Sequence, residues 1–140
     1  MKVKHRLVRI FLMIVFVCAL SITSYAQDKI VGQVLTTDIC AYINGERIPS
    51  YNINGKLAVI VSDLNSYGFV TNYNNDKRLS SVTVNTNTKK STPLPITSST
   101  LPVGTPIMNV YATDITVELN GNKVDSFNIN GKMAVYFKDL

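Results

Sequence analysis

Residues 34–64 read VLTTDICAYINGERIPSYNINGKLAVIVSDL, and residues 110–140 read VYATDITVELNGNKVDSFNINGKMAVYFKDL. The two stretches align without a gap at a constant offset of 76 residues, with 16 of 31 positions identical. Most other positions are conservative exchanges, such as Ile43/Leu119, Arg47/Lys123, Ile48/Val124, Tyr51/Phe127 and Leu57/Met133. Chance does not produce this, so the chain carries an internal duplication that governs every local reading.

Within one copy, Ile39, Ala41 and Ile43 alternate with Cys40 and Tyr42, the period of a half-buried strand. The second copy repeats it with Ile115, Val117 and Leu119 inward and Thr116 and Glu118 outward. Glu118 stands where the first copy has Tyr42, so Tyr42 is expected outside. Asn44-Gly45 and Asn54-Gly55 are hairpin turns, because both residues tolerate positive φ. Between them Ile48–Ile53 reads as one strand, broken in phase at Pro49, where a bulge or an edge is expected. Leu57 to Val61 is apolar on both faces and suits a covered strand. Ser62-Asp63 can cap a helix, Leu64 and Tyr67 give it one apolar side, and Gly68 fits its end. Phe69–Tyr73 and Leu79–Val84 form a further hairpin. The expected fold is α+β: a small antiparallel β-β-β-α-β-β sheet with one short helix packed on it in each repeat.

Outward from the repeat, residues 30–84 read as a complete unit and 107–140 as a second, truncated one. The shorter copy ends at Leu140, the equivalent of Leu64, which favours a fragment or truncated gene over a remnant unit. An open sheet edge in that copy invites strand pairing between chains, so self-association through it is expected. Residues 85–106 carry four of the five prolines and nine Ser/Thr. Such a segment buries too little apolar surface to offset its ordering entropy, and reads as a semi-stiff linker.

Residues 1–9 (MKVKHRLVR) are cationic, Ile10–Leu20 is apolar throughout, and Ser24-Tyr25-Ala26 sets small residues for a cut after Ala26. This is the pattern of a secretory signal peptide over 1–26; the apolar run is too short to span a bilayer. The formal net charge of +5 is concentrated there. From Gln27 onward 10 basic residues face 9 acidic ones, which excludes a basic nucleic-acid-binding body. The sole histidine is His5, so histidine-based catalysis and histidine-ligated metals are excluded from the mature chain. Cleavage removes Cys18 and leaves Cys40 without an internal partner, with an intermolecular disulfide as its open alternative.

The string TDI-(x)4-NG-(x)4-SYNINGK-(x)6-DL-(x)2-YGF from Thr37 to Phe69, closed by Tyr73-Asn74 and Arg78-Leu79, resembles the repeats of bacterial secreted copper amine oxidase N-terminal domain-like proteins, or stalk domains. The resemblance covers residues 37–84 and, in part, 113–140. It implies a small antiparallel sheet curled around a helix, as a non-catalytic accessory domain at the envelope of Gram-positive-type bacteria, often in tandem. It does not imply amine oxidation, whose chemistry sits in a separate domain with three copper-binding histidines and a tyrosine-derived quinone. Asn72-Tyr73-Asn74 lacks the acidic residue expected after that tyrosine.

No catalytic residue, cofactor or metal ligand set is expected. A glycosidase would need two facing acids, and the pair Asp38 and Asp63 is better read as a turn closure and a helix cap. Asn74, Asn75 and Asp76 read as a turn, because a calcium loop needs more acids at alternate positions. Aromatic residues remain as recognition candidates. Tyr42 and Tyr73 are the expected exposed binding surface, and Tyr51 and Tyr67 fall in apolar phase with the core. The expected function is a secreted, non-catalytic cell-envelope module acting as stalk, adaptor or weak binder. Its partners would be cell-wall polysaccharide or another envelope protein, with no nucleic acid and no membrane span after cleavage. The alternatives are a carbohydrate- or wall-binding module, or the accessory N-terminal part of a larger secreted enzyme.

Overall fold

Four Asn-Gly turns set the geometry. Asn44, Asn54, Asn120 and Asn130 have φ of 49–51° and each following glycine has φ of 78–84°. Two consecutive left-handed residues twist a two-residue turn to match the twist of the strands it joins. In the computed structural model, which describes residues 29–85, 94–96 and 99–140, these turns connect β2 (Ala41–Ile43) to β3 (Glu46–Ile48) and β4 (Tyr51–Ile53) to β5 (Lys56–Ile60). In the second copy they connect β9 (Thr116–Leu119) to β10 (Asn122–Val124) and β11 (Ser126–Ile129) to β12 (Lys132–Tyr136). The signal-peptide reading, including the cut after Ala26, and residues 86–93 and 97–98 of the linker lie outside the described residues.

The remaining strands are β1 (Ile30–Leu35), β6 (Phe69–Asn74), β7 (Leu79–Val84) and β8 (Pro106–Tyr111). Both copies build one closed antiparallel barrel in the order β1-β4-β5-β12-β11-β8, three strands from each. The pairing is symmetric about two points. Val59 lies opposite Val135, with Ala58 facing Tyr136 and Ile60 facing Ala134. Gln33 lies opposite Asn109, with Val34 facing Met108 and Gly32 facing Val110. Each central pair is one repeat position meeting its own counterpart, so the duplication folds about a pseudo-two-fold axis. An antiparallel pair has that symmetry locally, and near-identical strands can satisfy it from both sides.

Alternation along β5 and β12 then supplies two cores. Ala58, Ile60, Ala134 and Tyr136 point into the barrel with Val34, Val110, Ile53 and Ile129. Val59 and Val135 point outward and are fully buried with Ala41, Ile48, Val82, Val117 and Leu64. The expectation of a covered strand over Leu57 to Val61 describes β5, and β12 repeats the arrangement.

The α+β reading is corrected. Of the described residues 53% lie in strands and 10% in helix, and that helix is 3-10: Val61–Tyr67 and Phe137–Asp139. Val61, Leu64 and Tyr67 are the buried residues of the first. A spacing of three matches three residues per turn, so the 3-10 form aligns all of them on one face, and seven residues are too few to sustain an α-helix. The core is therefore a barrel, not a sheet curled around a helix. Asp63 is not a cap: Ile60 occupies that position and no side chain caps the segment. Gly68 ends it as expected, with φ of 91° and its amide on the Leu64 carbonyl. The single strand expected over Ile48–Ile53 is two strands in different sheets, since Pro49 cannot donate to a ladder.

The hairpins lie outside the barrel. β9 and β10 join β7 and β6 in a four-stranded sheet ordered β10-β9-β7-β6, whose β7–β9 pairing is parallel. β2 and β3 form a two-stranded sheet. β9 of the second copy is thus paired with β7 from the first, while β10 of that copy stays at the sheet edge; among the described residues β2, the counterpart of β9, pairs only with β3.

Candidate functional site

Tyr42 projects from β2 at 57% exposure, beside its cross-strand partner Arg47. Tyr73 lies on β6, one of the two outer strands of the four-stranded sheet, at 47% exposure. Both are on the surface, Tyr42 as the alternation predicts and Tyr73 as its place near a turn predicts, but on separate sheets. Tyr73 is also not a free ring: its hydroxyl accepts from Arg78 Nη1 at 3.1 Å and donates to Asn75 Oδ1 at 3.4 Å.

That arginine makes the principal contact that sequence reading missed. Arg78 grips Asp114 with a fork, Nε to Oδ2 at 3.1 Å and Nη2 to Oδ1, and so ties the first copy's hairpin to the second copy just before β9. Its hydrogen bond holds the Asp114 carboxyl below the usual carboxylate range. The charge pattern alone could not show this, because the two residues are far apart in sequence and become neighbours only through the parallel β7–β9 pairing.

Of the core tyrosines, Tyr67 is buried, with its hydroxyl donating to the Arg47 carbonyl at 2.9 Å and accepting from the Leu94 amide at 3.3 Å. Tyr51 is half-buried at the barrel end, and burial followed by the charge of Asp63 pushes its hydroxyl pKa up. Asp63 is itself raised by burial, against the lowering pull of Lys132 and Ser62.

A groove of about 480 Å³ runs between the β2–β3 hairpin and the barrel, lined by Asp38, Cys40, Ile48, Tyr51, Leu101 and Ile107 among others. Its linker wall is fastened at buried Thr36, which bonds Pro102 and Thr105. Asp38 lines this groove and Asp63 does not, so the two carboxylates do not share a cleft. Asp38 closes no turn; Thr37 Oγ1 accepts from the Ile39 amide at that bend. Asn74 Oδ1 accepts from the Lys77 amide, which accounts for the Asn-rich turn. The Cys40 thiol contacts the Asp38 carbonyl at 3.7 Å. Among the described residues no three His, Cys, Asp or Glu side chains gather to hold a metal, and no helix is long and apolar enough to cross a membrane. Comparison with protein-family models, with curated proteins and with solved structures returns no match for this chain.

Proposed function

We propose that the chain is a secreted, non-catalytic module of the cell envelope that acts as stalk, adaptor or weak binder. The observation carrying this reading is the joining of two repeats into one closed barrel that holds an incompletely covered hairpin, β2–β3, out to solvent. The barrel interior is packed with Val34, Ile53, Ile60, Val110 and Ile129 and leaves its chemistry-bearing groups on the outside, where partner contact is the available role. The export pattern of residues 1–26 and the resemblance of Thr37–Phe69 to stalk-domain repeats support the envelope part of the reading. Amine oxidase activity is not part of it.

Fractionation of a producing cell tests the proposal, with the chain followed in cytoplasm, envelope and medium. Recovery in the envelope or medium without its first 26 residues supports it; retention in the cytoplasm at full mass overturns it. The second reading, a wall-polysaccharide binder, is favoured by the exposure of Tyr42 and Tyr73. It predicts co-sedimentation with purified cell wall, lost in the Tyr42→Ala, Tyr73→Ala double variant.

A further inference from the structure

The pseudo-two-fold axis makes β2 the counterpart of β9, and the two edges differ in one respect. β9 carries β7 in parallel register, with Leu79 opposite Thr116, Ser80 opposite Val117, Ser81 opposite Glu118 and Val82 opposite Leu119. The ladder continues where Thr116 donates to the Arg78 carbonyl at 2.9 Å and Asn120 to the Val82 carbonyl at 2.8 Å. Shifted back by one repeat, these positions are Cys40, Ala41, Tyr42 and Ile43, flanked by the amides of Cys40 and Asn44. Among the described residues β2 pairs only with β3, and neither amide has a backbone acceptor. Leu119 is 7% exposed under β7, whereas its counterpart Ile43 is only half-buried and Ile39 is 59% exposed.

The charges repeat the pattern. Asp114, at the mouth of the filled edge, is held by Arg78, the residue just before the docked strand. Its counterpart Asp38, at the mouth of the bare edge, has no side-chain partner among the described residues. Among the described residues, one half of the molecule therefore holds an occupant for which the other half shows no counterpart.

We propose that β2 captures an extended peptide strand of a partner protein, in parallel register with Cys40–Ile43, through a basic residue that precedes the strand and pairs with Asp38. The incoming strand carries small or β-branched residues over Ala41 and Ile43, as Ser80 and Val82 do over Val117 and Leu119. Backbone pairing supplies affinity, and the Asp38 salt bridge with the alternating side chains supplies register. This deepens the adaptor reading and rests on it for a partner in trans; localisation and peptide binding are measured separately, so either can fail alone.

The test uses the purified chain and a synthetic peptide of residues 77–84, Lys77 to Val84, as the probe. Amide chemical shifts are followed on titration. Saturable changes at Cys40–Asn44 are expected, weakened at least tenfold by Asp38→Arg and restored when the peptide carries Asp in place of its arginine. A peptide N-methylated at the Val82 position, which cannot complete the ladder, should not bind. No change at Cys40–Asn44 at millimolar peptide overturns the proposal. So do changes confined to Thr116–Asn120, which would mean exchange with the resident strand, and a free protein already dimeric through β2. Slow hydrogen exchange of Cys40, Tyr42 and Asn44 before peptide is added would show the edge filled from within the chain, and also overturns it.

Discussion

Val59 and Val135 face each other across the β5–β12 seam, each fully buried, and each is the other's equivalent in the repeat. Removing two methyl groups from either leaves a cavity in the same shared core. Val59→Ala and Val135→Ala should each cost about 2 kcal/mol by transfer plus cavity terms. Because the side chains sit in one cluster, the double variant should depart from the sum of the singles. Urea unfolding checks this, with Val84→Ala, at a 54% exposed position, staying within about 0.5 kcal/mol of the parent.

Two carboxylates should give opposite pH behaviour. Burial raises the Asp63 pKa in the folded state, so the stability linked to its proton is present in acid and is lost as pH rises through the folded value. Asp63→Asn should match the parent near pH 3 and exceed it at pH 7. Asp114 is lowered by Arg78, so its contribution is present above the unfolded pKa and is lost as pH falls through the folded one. Asp114→Asn should be the less stable at pH 7, with the difference closing as pH falls below the folded value. That difference should shrink in high salt, because the pair is exposed. Thermal melts from pH 2 to 8 separate the two signs.

The Tyr67 hydroxyl joins the hairpin β2–β3 to the segment at Leu94 through a donated and an accepted bond. Tyr67→Phe keeps the buried ring and leaves the Arg47 carbonyl and the Leu94 amide without that partner. A loss of about 1 kcal/mol is expected. Hydrogen exchange at Leu94 should accelerate by more than at core amides such as Val135.

Gly68 turns the chain from the 3-10 segment into β6 at φ of 91°. A Cβ there would meet only Asn44 Nδ2, at 3.6 Å, so space is not the constraint. Gly68→Ala should still cost about 1 kcal/mol, through the left-handed backbone alone. Gly68→Asn should cost less, which distinguishes backbone strain from crowding by the larger side chain.

The local fold was largely legible because it is written in short-range chemistry. Four Asn-Gly pairs marked the hairpin turns, and the two-sided apolar run Leu57–Val61 marked the strand between two cores. The helix was misread because Val61, Leu64 and Tyr67 satisfy a 3-10 period as well as one α-helical face, and length decides between them. β1 and β8 drew no strand assignment, since exposed Ile30, Val31 and Ile107 and the glycine at 32 blur the alternation. Yet these strands close the barrel. At the candidate site, exposure of Tyr42 follows from repeat comparison and that of Tyr73 from its place near a turn. The Arg78–Asp114 fork and the difference between the β9 and β2 edges did not, because both follow from the β7–β9 pairing between copies, which neither copy encodes alone.

The central claim is that the two repeats share one barrel about a pseudo-two-fold axis. Inter-strand proton contacts by NMR test it most directly. Close Hα or amide contacts are predicted across Val59/Val135 and Gln33/Asn109, the two seams where equivalent positions meet. Contacts confined to pairs within each repeat, such as Asn52/Leu57 and Asn128/Met133, with none across either seam, would contradict it.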